Sequence, residues 1–422
     1  MTEHPVMTQF RIEQGRSGIV HLVFDCPGRT MNVFSEAAIA DIGTFAAWLT
    51  DADVPGVVIR SGKDNAFCAG ADLTELGVAY DMIVAAPERR RFDLAYDHFF
   101  PLSRALRALE TSGKPVVAAI AGLALGGGCE LALAAHHRVL VDDPRIGLGL
   151  PESLVGLLPG AGGTQRLPRL IGIEAALPIL MEGARLSGQV ALDTGLVGTL
   201  VAAGEEIEAA EAWVLANPAS SQPWDGRNWQ PAELCDVHAT ISIVRDRVLQ
   251  QTQGHYPAPL AILDCIELGL PQAFDAAIRT EMAIFAQLIQ REEPRNMIAT
   301  MFLAKTEYER LRRKGELPPA LEQLVAIATS AIAAEDRDTI GPAGFGGGGQ
   351  SIRRRSENGY WIDTEFGREA RTAIDRIDAA IVADLHLPPE YHSIADYAVV
   401  VGAGYPAYLG GPYARLKRAK VQ

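Results

Sequence analysis

Two glutamates, Glu130 and Glu152, each stand in a segment that is otherwise rich in glycine and apolar residues. Glu130 ends the stretch Pro115–Glu130, and Glu152 follows Leu150-Pro151. Burying an ionised carboxylate without partners is costly, so such a group usually has a shifted pKa or a role in function. Two carboxylates in one apolar site would titrate as a pair and would be able to divide acid and base work. This pattern predicts an enzyme.

Two glycine turns could supply hydrogen-bond donors to the same chemistry. Gly126-Gly127-Gly128 precedes a segment of strong helical character, and Phe67–Asp72 contains a second glycine turn. A glycine turn that leads into a helix leaves N–H groups free at the positive end of the helix dipole, where they can stabilise a developing oxyanion. Taken alone, however, the glycines are more typical of close backbone packing.

Taken together, these segments resemble the crotonase (enoyl-CoA hydratase/isomerase) superfamily over roughly residues 10–200. The motifs that carry the resemblance are Ala66–Leu73, Ala121–Glu130 and Gly149–Arg169. Within the superfamily, the chain is most similar to the hydratase part of multifunctional fatty-acid oxidation complex alpha subunits, through Tyr256–Leu260 and on to about residue 312. The resemblance implies an α/β, crotonase-like (ββα spiral) N-terminal domain followed by a mostly α-helical C-terminal region.

The resemblance also implies roles for individual residues. Glu130 and Glu152 would be the catalytic acid–base pair, and the backbone N–H groups of Ala71 and Gly127 would form the oxyanion hole. No metal is implied. The substrate-binding residues that the resemblance implies are Ala69, Gly70, Asp72 and Gly126.

The activity implied by this resemblance is hydration of the 2,3 double bond of an enoyl-CoA thioester. Glu130 would take a proton from water, and Glu152 would deliver one to the α-carbon. The presence of both carboxylates favours a hydratase. An enoyl-CoA isomerase, another acyl-CoA lyase of the superfamily and a non-catalytic partner-binding scaffold remain alternatives. The acyl-CoA substrate is the expected partner, and a homo-oligomer or a thiolase-type partner stays open.

Composition narrows the class of protein. The 422 residues suffice for two or three domains, and 48% hydrophobic with 21% charged residues is typical of a soluble globular protein. The formal net charge of -14 argues against a general nucleic-acid or anionic membrane surface. Five scattered cysteines without a CxxC pair indicate neither disulfides nor a zinc site. Because the sequence shows neither a signal-type segment nor a membrane span, we expect a cytoplasmic location.

Hydrophobic periodicity predicts the domain organisation. Strands and helices alternate over the first 200 residues, with strands predicted at 17–25, 54–60 and 116–120 and helices at 35–50 and 88–112. Helices then dominate, at 206–216, 236–251, 272–314 and near 365–384. We therefore divide the chain into a crotonase-like hydratase domain (1–200), a helical extension (201–315) and a reduced helical domain resembling the end of a 3-hydroxyacyl-CoA dehydrogenase (316–422).

Four other groups of residues have ordinary structural explanations. His136 and His137 are adjacent, so on a helix they would point in different directions and would not readily share a metal ion. The loop Gly344–Gly349 lacks a preceding strand and a following helix, which disfavours a phosphate-binding loop. Arg353–Arg355 and the basic end Arg415–Lys420 are predicted to be solvated.

We expect the chain not to bind NAD. A dehydrogenase needs a strand–GxGxxG–helix unit that seats the pyrophosphate at a helix N-terminus, and the sequence after residue 310 contains no such unit. Calorimetry should show no binding of NAD at millimolar concentration. Steady formation of NADH from enoyl-CoA and NAD by the pure protein would contradict this prediction.

Overall fold

The computed structural model describes residues 4–64, 66–334, 365–383 and 387–419. Its contacts divide the chain into two compact units. The first unit comprises Met1–Ser153, Leu158–Ala239 and Ala261–Gln290, and the second comprises Leu154–Leu157, Thr240–Leu260 and Arg291–Gln422. The glycine loop 344–349 and the arginines 353–355 lie outside the described residues. The three-part division at 1–200, 201–315 and 316–422 stays a prediction.

The strands of the first unit form two sheets. Their bounds are β1 Phe10–Gln14, β2 Val20–Phe24, β3 Val57–Ser61, β4 Ala66–Cys68, β5 Val116–Ile120, β6 Leu123–Leu125, β7 His137–Val141, β8 Leu148–Gly149, β9 Arg185–Leu186 and β10 Thr199–Val201. The larger sheet has the order β1-β2-β3-β5-β7-β10 and the smaller sheet the order β4-β6-β8-β9. All neighbouring strands are parallel except β1–β2 and β8–β9.

Successive strand pairs contribute one strand to each sheet and are followed by helices. The pairs are β3/β4, β5/β6 and β7/β8. The helices of this part are α1 Glu36–Asp51, α2 Leu73–Ala85, α3 Glu88–Glu110, α4 Gly127–Ala134, α5 Gly163–Ile171 and α6 Ile173–Glu182. This repeated strand–strand–helix order confirms the predicted α/β architecture with its ββα spiral.

Local sequence explains the main elements of the spiral. Every residue of β2 and β5 is buried, as expected for inner strands of a largely parallel sheet that is covered on both faces. Strand β5 occupies the residues predicted for it. Helix α1 begins where predicted because the Ser35 hydroxyl accepts a hydrogen bond from the N–H of Ala38 at 3.3 Å, an N-cap. The strand predicted at 17–25 is shorter, since a 3₁₀ turn occupies Arg16–Gly18.

The remaining helices lie mainly in the C-terminal half of the chain. This half is mostly helical, as predicted. They are α7 Gly188–Asp193, α8 Glu206–Ala216, α9 Leu234–Thr252, α10 Pro257–Gly269, α11 Phe274–Leu288, α12 Glu292–Met297, α13 Lys305–Lys314, α14 Ala320–Ala333, α15 Glu365–Ala383, α16 His392–Ala403 and α17 Pro412–Ala419. No helix of the described ranges has the length and apolar character needed to cross a bilayer.

The helical stretch predicted at 272–314 is interrupted in the structure. Helix α11 ends at Leu288, and Arg291 is extended at the N-cap of α12. Pro294 then lies in the first turn of α12, the part of a helix that tolerates proline. A π-helical segment, Ile298–Ala304, separates α12 from α13. The apolar periodicity runs through these breaks, which is why it predicted one continuous stretch.

Two buried aspartates connect the helices of the second unit. Asp396 accepts hydrogen bonds from the N–H of Tyr413, at 2.8 Å, and from that of the next residue. Asp378 accepts one from the Tyr405 hydroxyl, at 2.8 Å, and pairs with Arg415. The prediction that Arg415 is solvated is therefore wrong, because its side chain is 21% exposed and neutralises a buried carboxylate. Burial raises the pKa of Asp396 to about 8 and that of Asp378 to about 6. These carboxylates therefore bind protons more strongly in the folded chain than in the unfolded one.

Asp396→Asn is expected to weaken the pH dependence of stability. The folded chain retains a proton on Asp396 that the unfolded chain releases, so this contribution to stability falls as the pH rises from the ordinary value of 3.8 to about 8. Asparagine does not titrate. Calorimetry at about pH 5 and about pH 8 should therefore show a smaller fall in Tm for the variant than for the wild type.

The matched control is Asp375→Asn, because Asp375 is an aspartate of the same unit with a side chain that is 65% exposed. It should keep the wild-type fall in Tm. An undiminished fall in Asp396→Asn would mean that Asp396 is ionised in the folded chain.

Candidate functional site

The turn between β6 and α4 brings a glycine backbone against Glu152. Gly126 has φ +53, a conformation that favours glycine, and its N–H donates to the carbonyl of Gly149 at 2.9 Å. A Cβ placed on Gly126 would lie 2.9 Å from Oε1 of Glu152. The absence of a side chain here therefore lets the Glu152 carboxylate approach the turn at the start of α4.

The second glycine turn, Ala69–Asp72, is fixed by Phe34. The N–H of Phe34 donates to the carbonyl of Gly70 at 2.8 Å, and the N–H of Asp72 donates to the carbonyl of Phe34 at 2.9 Å. A Cβ on Gly70 would lie 3.7 Å from the backbone nitrogen of Gly127, so the two glycine turns are adjacent.

Neither the N–H of Ala71 nor that of Gly127 donates a hydrogen bond to another group within the described part of the chain. Gly127 is the first residue of α4, and the first N–H groups of a helix have no intrahelical acceptor. Two free N–H donors on adjacent turns can stabilise a carbonyl oxygen that gains negative charge. The geometry is therefore compatible with the predicted oxyanion hole.

Glu130 lies in the first turn of α4 and is 3% exposed. Its Oε1 accepts hydrogen bonds from the N–H groups of Ala161, at 2.7 Å, and Gly163, at 2.8 Å. Burial raises the pKa of Glu130 above its usual range, while these two donors and the charge of Arg166 oppose the increase. Both donors stabilise the ionised form of this carboxylate.

Glu152 has a different environment on the 3₁₀ turn Pro151–Val155. Its Oε2 is buried, and no hydrogen-bond partner for this atom lies among the described residues. Burial and the negative charge of Glu130, followed by that of Glu281, raise the pKa of Glu152 well above its usual range, against the opposing effect of a hydrogen bond from its own backbone. The surroundings of Glu152 therefore favour the protonated acid, whereas those of Glu130 supply two donors to a carboxylate.

Asp72, one of the predicted substrate-binding residues, has a carboxylate engaged in local structure. It caps α2 by accepting a hydrogen bond from the N–H of Thr74 at 3.0 Å, and it pairs with Arg29. The N–H of Ala69 donates to the carbonyl of Asn32 at 2.9 Å. These contacts fix the turn that carries the N–H of Ala71. The substrate-binding roles of Ala69, Gly70, Asp72 and Gly126 stay predictions.

The adjacent histidines do not lie on a helix, because α4 ends at Ala134 and β7 begins at His137, and they have separate partners. His136 Nδ1 accepts a hydrogen bond from the N–H of Val116 at 3.0 Å, whereas the ring of His137 stacks on Trp213 with centroids 4.7 Å apart. Within the ranges that the structure describes, no group of three or more His, Cys, Asp or Glu side chains is arranged to hold a metal ion.

The sequence interpretation missed Glu281, which is fully buried on α11. Its carboxylate accepts hydrogen bonds from the N–H groups of Gly162, at 2.6 Å, and Thr164, at 3.0 Å. The sequence does contain a signal for this residue. Glu281 lies between Ile278 and Phe285 on the buried face of α11, where apolar residues recur at helical spacing.

The chain is similar in sequence to known proteins. Residues 14–223 match the family described as enoyl-CoA hydratase/isomerase. The chain is 35% identical over 318 residues to the fatty acid oxidation complex subunit alpha of Shewanella amazonensis, and 36% identical over 331 residues to the protein of that name from Shewanella loihica. These alignments cover 74% and 75% of this chain but 43% and 44% of the relatives. The chain therefore spans less than half the length of these relatives.

A solved structure shows the same fold. Human mitochondrial delta3-delta2-enoyl-CoA isomerase superposes with a TM-score of 0.51 at 19% identity, over 72% of this chain and 99% of the isomerase. The likeness confirms the predicted crotonase-like fold.

The contact between α4 and β4 should not tolerate a side chain at Gly128. A Cβ there would overlap the carbonyl oxygen of Cys68 and would lie 2.7 Å from the Cys68 Cβ. Because overpacking of a filled core typically costs roughly 1–3 kcal/mol, Gly128→Ala should lower the free energy of unfolding by about that amount. Denaturant unfolding measures the change.

The control for this substitution is Gly77→Ala in α2, where nothing lies within 4 Å of the added Cβ. It should raise the free energy of unfolding by roughly 0.5–1 kcal/mol, because alanine is the better helix former. If Gly128→Ala were as stable as the wild type, the close approach of α4 to β4 would be wrong.

Proposed function

Since the chain belongs to the enoyl-CoA hydratase/isomerase family, we propose that it adds water across the 2,3 double bond of an enoyl-CoA thioester. The observation that carries the proposal is the unequal surroundings of Glu130 and Glu152. Two N–H donors favour the ionised form of Glu130, while Glu152 Oε2 is buried without a partner among the described residues. Two carboxyl groups with different environments are suited to one base and one acid.

In the proposed reaction, the Glu130 carboxylate takes a proton from water as the water oxygen bonds to the β-carbon. The π electrons of the double bond move toward the thioester, whose carbonyl oxygen becomes an enolate oxygen. The N–H groups of Ala71 and Gly127 stabilise that charge. Glu152 then gives its proton to the α-carbon, which completes the 3-hydroxyacyl-CoA product. A proton passing from Glu130 to Glu152 restores the starting state.

The second candidate is an enoyl-CoA isomerase, which moves a double bond without adding water. The fold shared with an enoyl-CoA isomerase is compatible with this activity. One carboxylate suffices for it, because a single group can carry a proton between the α- and γ-carbons. A 2-enoyl-CoA and a 3-enoyl-CoA, assayed separately, distinguish the two activities. The name shared by the bacterial relatives supports fatty acid oxidation as the source of the substrate.

Glu130→Gln and Glu152→Gln are each expected to lower kcat for hydration at least ~10²-fold, the usual scale for a positioned acid or base. Glutamine keeps the shape of the side chain but neither accepts nor delivers the proton. The measurement is the rate of 3-hydroxyacyl-CoA formation from a 2-enoyl-CoA, with circular dichroism to verify folding.

Glu182→Gln, an exposed glutamate at the end of α6, is the control and should hydrate at the wild-type rate. If only one of Glu130 and Glu152 were essential and the 3-enoyl-CoA were the better substrate, the isomerase would be favoured. Wild-type hydration by either variant would contradict the two-glutamate mechanism.

A further inference from the structure

Glu281 is a third glutamate whose charge interacts with Glu130 and Glu152. It is fully buried on α11, whose other buried residues are all apolar. A buried carboxylate must find donors or bind a proton, because desolvation of the charge is costly. Packing alone does not explain a glutamate at this position, since an apolar side chain would fill the space at lower cost.

The donors to Glu281 come from the same turn that holds Glu130. Along Ala161–Thr164, the first and third N–H groups donate to Oε1 of Glu130, and the second and fourth donate to Glu281. The hydroxyl of Thr164 also donates to Glu281. Gly162 has φ +96, a backbone conformation that favours glycine. The two carboxylates therefore share the N–H groups of one short turn.

Electrostatics couple Glu281 to the acid–base pair. Burial, and then the charge of Glu130, raise the pKa of Glu281 to about 8, against the opposing effect of its donors and of Arg166. The charge of Glu281 in turn raises the pKa of Glu152. The titratable and charged groups that interact with the Glu281 carboxylate are those of Glu130, Glu152, Arg166, Arg169 and Cys265.

We propose that Glu281 is a positioning residue for the hydration: it orients Glu130 through their shared turn, and its negative charge helps to retain the proton on Glu152. This inference rests on the proposed function. As the pH approaches 8, ionisation of Glu281 places a second negative charge near Glu152, which makes release of the Glu152 proton less favourable. The acid then remains protonated to a higher pH than it would without Glu281.

Two substitutions separate the two effects. Glu281→Gln removes the charge but keeps one acceptor oxygen, so the alkaline limb of the kcat/KM profile should move to lower pH. Glu281→Ala removes every acceptor and releases the turn, and kcat should fall ~10²-fold, because misplacing a reacting group by about 1 Å has that effect. Hydrogen–deuterium exchange of a peptide covering Ala161–Thr164 should become faster in Glu281→Ala.

The matched control is Glu211→Gln. Glu211 is also buried in the first unit, where it is hydrogen-bonded to His21 at 2.8 Å, and it takes no part in the proposed site. Its loss should lower Tm without moving the alkaline limb or changing exchange at Ala161–Thr164. An equal loss of Tm in Glu281→Gln, with the wild-type alkaline limb, would reduce Glu281 to a structural role and overturn the proposal.

The exchange measurement does not depend on turnover. If the wild type failed to hydrate any enoyl-CoA, the proposed function would be wrong. Faster exchange in Glu281→Ala would still support the role of Glu281 in holding the turn. Unchanged exchange in Glu281→Ala would contradict the claim that Glu281 holds the turn Ala161–Thr164, whether or not the protein is a hydratase. If Glu281→Ala did not fold, the position of the alkaline limb in the kcat/KM profile of Glu281→Gln would decide whether the proposal holds.

Discussion

Four consecutive backbone N–H groups, those of Ala161–Thr164, allow two carboxylates to be buried in the first unit. An ionised carboxylate loses the stabilisation of water when it is buried, and only well-placed donors replace it. The turn supplies two donors to Glu130 and two to Glu281. Helices α4, α5 and α11 each contribute to this arrangement, since the turn leads into α5 and the carboxylates come from the other two.

The surroundings give chemically identical side chains different properties. Glu130 and Glu152 are both glutamates near the glycine turn at the start of α4, and burial raises the pKa of each. Glu130 receives N–H donors, whereas Glu152 has the negative charges of two other carboxylates near it. The difference comes from backbone geometry, because the donors are main-chain groups and the close approach of Glu152 depends on the missing Cβ at Gly126.

Much of the first unit could be predicted from sequence because its signals are local. The cap at Ser35, the apolar strand Val116–Ile120 and the glycine turns beside Glu130 all lie within a few residues of the elements that they determine. The strands of two or three residues in the smaller sheet are too short to show a period. Glu281 could not be predicted to join the site, because 119 residues separate it from the N–H of Gly162 that it accepts from. Only tertiary packing brings them together.

Neighbouring amides of Ala161–Thr164 donate to different carboxylates, so the place of each amide in the chain decides which carboxylate it meets. A deletion or insertion within the turn would shift these amides relative to Glu130 and Glu281 and would alter the span between Pro159 and α5. The number of residues in this turn is therefore more tightly constrained than the identity of most of its small side chains, so changes in length should be tolerated less well here than single substitutions.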